Sequence, residues 1–280
     1  PYSHNFTVPA ADAVSTKYII TARALDLSGN FAEDSIEIEK GGLDILSITN
    51  YIGPDDFTYD GGSIAVLGGT LTITGTHSFG NITLANGAVL THSAATTTEE
   101  YRLVLNVNTL IIDSTSRIDV SNKGYLGGYS GNNSYPNGHT VGNTRTGGSY
   151  VGSGGSYGGL AGERSYVNAV YGSLYNPDYP GSGGGSDGYN HFGGNGGGLV
   201  RVTAGEIVLD GNIIANGGDG ATYTLNGGGS GGGIYINTGI MSGIGSISAN
   251  GGKKTTAYKF TAGGGGGRIA IYYDDITGFD

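Results

Sequence analysis

Three stretches of the chain align on one another: LVLNVNTLIIDSTSRIDVSNKG from Leu103, LVRVTAGEIVLDGNIIANGGDG from Leu199 and IYINTGIMSGIGSISANGGKK from Ile234. A repeat of this kind constrains the fold more than composition does. Each copy must adopt the same local structure and bury the same face against its neighbours. Every copy reads as three short strands: an alternating first, a compact apolar second, and a third that runs into Asn-Gly or a near relative. Those endings are Asn122-Lys123-Gly124, Asn216-Gly217-Gly218 and Asn250-Gly251-Gly252. A further copy opens at Arg268 with RIAIYYDDITGF, and GGTLTITGTHS and FGNITLANGAVLTHS look like shorter upstream units.

A unit of about 22 residues in three strands is what one rung of a parallel β-helix requires, with rungs about 4.8 Å apart. In the copy from Leu199 the expected inward residues are Leu199, Val202, Ile207, Leu209 and Ile214. Arg201, Thr203, Glu206 and Asp210 would face out. No single rung can bury that apolar set, whereas stacked rungs share one continuous core. Composition agrees, because 58 glycines make helix unfavourable almost everywhere, each costing roughly 1 kcal/mol against alanine in a helix interior. The expected fold class is therefore all-β: a parallel β-helix (solenoid) over residues 43–280 with glycine-rich excursions.

The excursions cover 124–198, the long Tyr/Gly-rich insertion, then 219–233 and 253–267. Each returns through a run such as GGNGGG, GGGSGGG or AGGGGGG, followed at once by an apolar strand. A flexible linker would share the composition but not the recurrence at one phase of successive rungs. The runs are expected to lie side by side in polyglycine-II-like or flat strand form, where a missing side chain lets backbones approach closely.

Residues 1–42 read differently, as HNFTV, KYIITARALD and SIEIEK separated by turns. Phe6 to Pro9, Tyr18 to Asn30 and Asp34 to Ile38 resemble the last strands of bacterial immunoglobulin-like domains. That resemblance implies a partial immunoglobulin-like β-sandwich, since about seven strands make a whole one. Gly227 to Ile236, Ile247 to Gly252 and Gly263 to Tyr273 resemble the glycine-rich β-helical modules of very large bacterial surface proteins. This resemblance implies an extracellular or cell-surface location and a structural or filament-forming role. Expected partners are copies of itself or neighbouring domains of one long chain, met at the solenoid end or by strand donation to the immunoglobulin-like half. It brings no catalytic residues.

Charge excludes other classes. A net charge of -10 with 13 Lys and Arg leaves no basic stripe for nucleic acid. No apolar run approaches the roughly 20 residues that span a bilayer. Cysteine is absent, so disulfides and thiolate metal sites are excluded. Parallel β-helices also serve polysaccharide lyases and hydrolases. The adjacent carboxylate pairs here, Asp55-Asp56, Glu99-Glu100 and Asp274-Asp275, lack the sequence context of those enzymes, and Arg201, Glu206 and Asp210 read as solvated surface. The expectation is no enzyme and no obligatory cofactor. Calcium is possible at turns carrying Asp26, Asp55, Asp56 and Asp60, which cluster oxygen ligands without an EF-hand pattern. His77 and His92 belong to similar Thr-His-Ser triplets and read as a surface polar ladder rather than a metal pair.

The insertion holds the candidate ligand-binding residues: Tyr125, Tyr129, Tyr135, Tyr150, Tyr157, Tyr166, Tyr171, Tyr175, Tyr179 and Tyr189, amid Asn, Ser and Gly. A tyrosine offers a large apolar face and a hydroxyl. Three roles fit these residues: capping the glycine layer, self-association, or adhesion to a cell-surface glycan or receptor.

Overall fold

A computed structural model describes residues 17–25, 31–39, 43–46, 50–188, 191–222, 225–254 and 262–278. The described residues form strands and turns without helix. β1 (Lys17–Leu25) and β2 (Phe31–Glu39) pair antiparallel from Lys17 opposite Glu39 to Leu25 opposite Phe31. HNFTV lies outside the described residues.

The remaining strands form two parallel sheets, and the chain visits them alternately. The larger sheet holds β3 (Leu43–Leu46), β5 (Ser63–Leu67), β7 (Gly75–Ala85), β9 (Leu103–Ile112), β11 (Leu199–Leu209), β13 (Gly233–Ser242) and β15 (Arg268–Thr277), adjacent in that order. The smaller holds β4 (Asn50–Ile52), β6 (Thr70–Ile73), β8 (Val89–Thr91), β10 (Arg117–Asp119), β12 (Asn212–Ile214) and β14 (Ser246–Ser248). Each pass of the chain adds one strand to each sheet. Equivalent residues of successive passes sit in register whatever the length of chain between them. Asn81 and Ser63 are 18 residues apart, Ala88 and Ser116 are 28 apart, and Asn212 and Ser246 are 34 apart.

Sequence separates the first two strands of each unit, but the structure runs them together. β11 is continuous, and its inward set slips by one residue partway along: Val200, Val202 and Ala204 are buried, then Ile207 and Leu209. The slip falls at Gly205, which the ladder skips on both sides. β7 slips at Gly80 and β13 at Gly239, at the same register position. A Cβ on Gly239 would lie 2.8 Å from the Gly205 carbonyl, so a bare backbone permits the corner.

This phase corrects two inward assignments. Leu199 is buried but outside the core, because Val200 holds the inward position; Ile213 on β12 and Ala215 just after it, rather than Ile214, belong to the core. Core residues stack in columns. Ile64, Ile82, Leu110, Ile207 and Met241 make one on the larger sheet, and Leu71, Leu90, Ile118 and Ile213 face them from the smaller. Each such side chain contributes about 1.5–3 kcal/mol by leaving water. The Asn-Gly endings stack as well: Asn122 N–H donates to the Asn216 carbonyl, and Asn250 N–H to Asn216 Oδ1 at 2.7 Å.

The glycine runs lie outside both sheets and pack against one another. Along Gly227–Gly232 the backbone donors turn to a new neighbour at every residue. Gly227 and Ser230 donate to Gly185 and Ser182, Gly228 and Gly231 to Ala262 and Gly265, and Gly229 and Gly232 to Gly218 and Ala215. The carbonyls of the same run accept from Gly194, Gly197, Gly155 and Gly252. A direction that recurs every third residue is the mark of a polyglycine-II helix, which has three residues per turn and no hydrogen bonds within itself. One run thereby contacts segments on all sides, unlike a β-strand with two neighbours. Side chains cannot enter this lattice: a Cβ on Gly229 would lie 2.0 Å from the Asn195 carbonyl, and one on Gly265 2.0 Å from that of Gly159.

Adjacent glycines in one run therefore differ sharply. A Cβ on Gly266 meets nothing within 4 Å. Gly265→Ala should destabilise the protein by about 3 kcal/mol through overpacking. Gly266→Ala should leave thermal unfolding nearly unchanged, and calorimetry of the two variants distinguishes them.

Candidate functional site

The insertion 124–198 carries all ten tyrosines singled out from sequence, and the structure divides them. Tyr125 is fully buried, and its hydroxyl donates to Glu100 Oε2 at 2.6 Å. Burial first and the Glu100 carboxylate second raise its pKa far above the ordinary phenol value. Tyr157 is also fully buried, its ring centroid 4.8 Å from that of Tyr171, and burial pushes its pKa up to about 12. Tyr171 donates to the Pro180 carbonyl at 2.7 Å, and Tyr179 meets its ring edge-on. These residues wedge the insertion against the glycine block.

The others reach the surface. Tyr129 is half-buried, Tyr135, Tyr150, Tyr166 and Tyr175 are exposed, and Tyr179 of the wedge is exposed on its outer side as well. Tyr150 and Tyr166 form an isolated antiparallel bridge, with Tyr150 N–H donating to the Tyr166 carbonyl at 2.9 Å. Their side chains flank a cleft of about 390 Å3 floored by Gly147 and Gly148. Tyr135 lies under the Arg145 guanidinium, 3.4 Å from its ring centroid, at a second cleft of similar size. Tyr175 stands apart beside Leu174, Ile269 and Tyr272, and its carbonyl accepts from the Tyr272 hydroxyl. Tyr189 lies outside the described residues.

A residue that the sequence does not advertise ties the insertion together. Asn168 is buried and uses its whole amide: the two N–H groups of Nδ2 are shared among Ser156 O, Ala169 O, Thr140 Oγ1 and Ser182 Oγ, all within 2.9–3.1 Å, while Oδ1 accepts from Ser156 N–H and Ser149 Oγ. A lone Asn between Val167 and Ala169 has no motif to mark it. Its importance comes from segments that meet only in the folded chain.

His77 and His92 are both fully buried, which corrects the expectation of a surface ladder. They do not stack: Thr74 rather than His77 pairs with Ser93, Oγ1 to Oγ at 3.0 Å. His77 Nδ1 lies 2.9 Å from Asp60 Oδ1, and its ring replaces an aliphatic residue in the core column above Leu105. His92 Nδ1 donates to the Ser93 carbonyl at 2.7 Å, leaving Nε2 to accept from Leu199 N–H at 3.2 Å. It anchors the chain where the insertion rejoins the larger sheet. A Cβ on Gly198 would strike its Nε2 at 2.2 Å, so that junction requires glycine.

The acidic candidates are engaged singly. Asp56 Oδ1 accepts from the Thr58 backbone and hydroxyl, bonds that lower its pKa, and Asp60 holds His77 and Ser78 N–H. Asp55 is exposed, and Asp26 lies outside the described residues. Among the described residues no group of three or more His, Asp or Glu side chains is placed to hold a metal ion. Arg201 does not join Glu206 and Asp210: it donates to the Pro177 carbonyl and stacks on Tyr235, while Asp210 accepts from Ile244 N–H.

These features define an all-β protein of two parallel sheets with a packed glycine block and a polar, tyrosine-bearing surface. No family model, curated protein or solved structure matches the chain.

Two measurements test the internal ties. Asn168→Ala strands several buried donors and acceptors and should cost about 2–4 kcal/mol in urea unfolding, at about 1–3 kcal/mol for each unsatisfied group that relaxation leaves. His92 gives a pH signature. Burial pushes its pKa down to about 4, against the Ser93 carbonyl and with Lys123 and Arg102 adding to the depression. Above the unfolded value of 6.5 both states hold a neutral ring. Between pH 6.5 and 4 the unfolded chain takes up a proton that the folded chain refuses, so about 3 kcal/mol of stability is lost as pH falls through that window. Denaturation at pH 7.5 and 4.5 should show a shallower dependence in His92→Gln than in the parent chain.

Proposed function

We propose that the chain is an extracellular structural module of a surface or filament-forming protein, built as a parallel β-helix with a polyglycine-II block beside it. The observation that carries this reading is the every-third-residue donor pattern of Gly227–Gly232. A lattice of backbone hydrogen bonds with no room for a Cβ at most positions makes a stiff body. Glycine in it is held on every side, so the entropy that normally makes glycine costly is spent on rigidity.

The state of β15 supports a reading of self-association or docking on a neighbouring domain. Among the described residues it pairs with β13 along one edge, and its inward positions Ile269 and Ile276 are 39% and 37% exposed where Ile234 and Met241 below them are 0%. An edge with apolar inward residues is a template for a further pass from a neighbouring domain or a second copy. The β1–β2 hairpin reads as part of an immunoglobulin-like sandwich completed by strands from such a neighbour.

Electron microscopy of the purified chain at physiological salt tests the proposal. Rods or end-to-end assemblies are expected, and Ile276→Lys should shorten them. Only dispersed single molecules in the parent chain would overturn self-association.

A further inference from the structure

The two clefts of the insertion adjoin. Tyr135 and Arg145 border the first, while Asn137 and Gly147, two residues further along each segment, border the second. Among the described residues Arg145 is the one charged residue on either lining, and neither lining includes a carboxylate. Its guanidinium lies on the Tyr135 ring. Asn132, Ser134 and Thr144 supply amides and hydroxyls that both donate and accept.

His139 also lines the first cleft and is 3% exposed. Its Nδ1 lies 3.0 Å from Asn143 Oδ1 and 3.1 Å from the Asn143 carbonyl, and Asn143 Nδ2 donates to Thr96 O, which fixes that amide's orientation. Both neighbours are acceptors, so Nδ1 carries the proton. Burial lowers the ring's pKa, and Nε2 is an acceptor with no hydrogen-bond partner among the described residues. The second cleft is lined by Tyr150 and Tyr166 together with Asn137, Gly147 and Gly148. Gly148 cannot be otherwise, since its Cβ would lie 1.8 Å from the Gly138 carbonyl.

We propose that the two clefts form one binding site for a neutral oligosaccharide. Sugar hydroxyls donate and accept at the same atom, which matches the amides and hydroxyls of this lining better than it matches charge. The C–H faces of a pyranose ring lie flat on tyrosine, and a glycine floor leaves room for the ring between the two rims. A net charge of -10 and a guanidinium already stacked on an aromatic disfavour a polyanionic glycan. The site goes beyond the structural role, and dispersed single molecules in the microscope would leave it standing.

A glycan array probed with the intact chain, covering neutral and uronate-bearing oligosaccharides and followed by calorimetric titration of hits, tests the site. Neutral oligosaccharides should be retained, and the His139 ring resonances should shift on binding. Tyr150→Ala and Tyr166→Ala should each weaken affinity by about tenfold or more. Tyr175→Ala, exposed but outside both clefts, should bind as the parent does, and circular dichroism checks that the surface variants fold. The proposal is overturned if no neutral saccharide binds at about 10 mM. It is equally overturned if binding is confined to acidic glycans and vanishes with salt, if Tyr175→Ala is as impaired as the cleft variants, or if only a protein without sugars is captured.

Discussion

Close approach of one bare backbone to another is the constraint on which this molecule rests. Wherever two glycine runs meet, a Cα–H stands against a carbonyl oxygen at a distance that no side chain tolerates, and N–H groups bond outward in rotation. Each such bond contributes about 1 kcal/mol net, and a buried donor left unpaired would cost more than that, so the block holds together as a whole or not at all. The sheets supply what the glycines lack. Apolar columns such as Ile82, Leu110, Ile207 and Met241 fix the register of successive passes, and that register sets where each run leaves and returns.

The repeat made much of this legible. Asn216-Gly217-Gly218 and Asn250-Gly251-Gly252 fall at the same phase because Asn216 Oδ1 must meet Asn250 N–H one pass later. Val202, Ile207 and Leu209 face in as alternation implies. Alternation failed at Leu199 and Ile214 because a corner at Gly205 shifts the phase, and a period-two pattern carries no sign of a corner except the glycine itself.

The site was less legible than the frame. A tyrosine buried against Glu100 and one beside a surface cleft look the same in a Tyr/Ser/Gly/Asn sequence, since the difference is which segment packs over the ring. Tyr125 and Tyr157 became wedges, whereas Tyr150 and Tyr166 became rims. His92 was conspicuous, but its role depends on Leu199, 107 residues away. Asn168 had no signal at all, because its partners come from four separate turns.

The order of segments along the chain sets the order in which the molecule can form. Gly155 and Gly185 belong to the insertion, yet their hydrogen-bonding partners Gly228, Gly265 and Gly227 come from runs made later. During synthesis the insertion emerges first, able to bond within itself at pairs such as Gly128–Gly184 and Gly183–His139 but without these later partners. Contacts this distant in sequence form slowly, because loop closure must precede any gain from them. The β11 and β13 passes have to be in place before the block can close, so the block is the last part to assemble and the part most exposed to interception by a neighbouring chain.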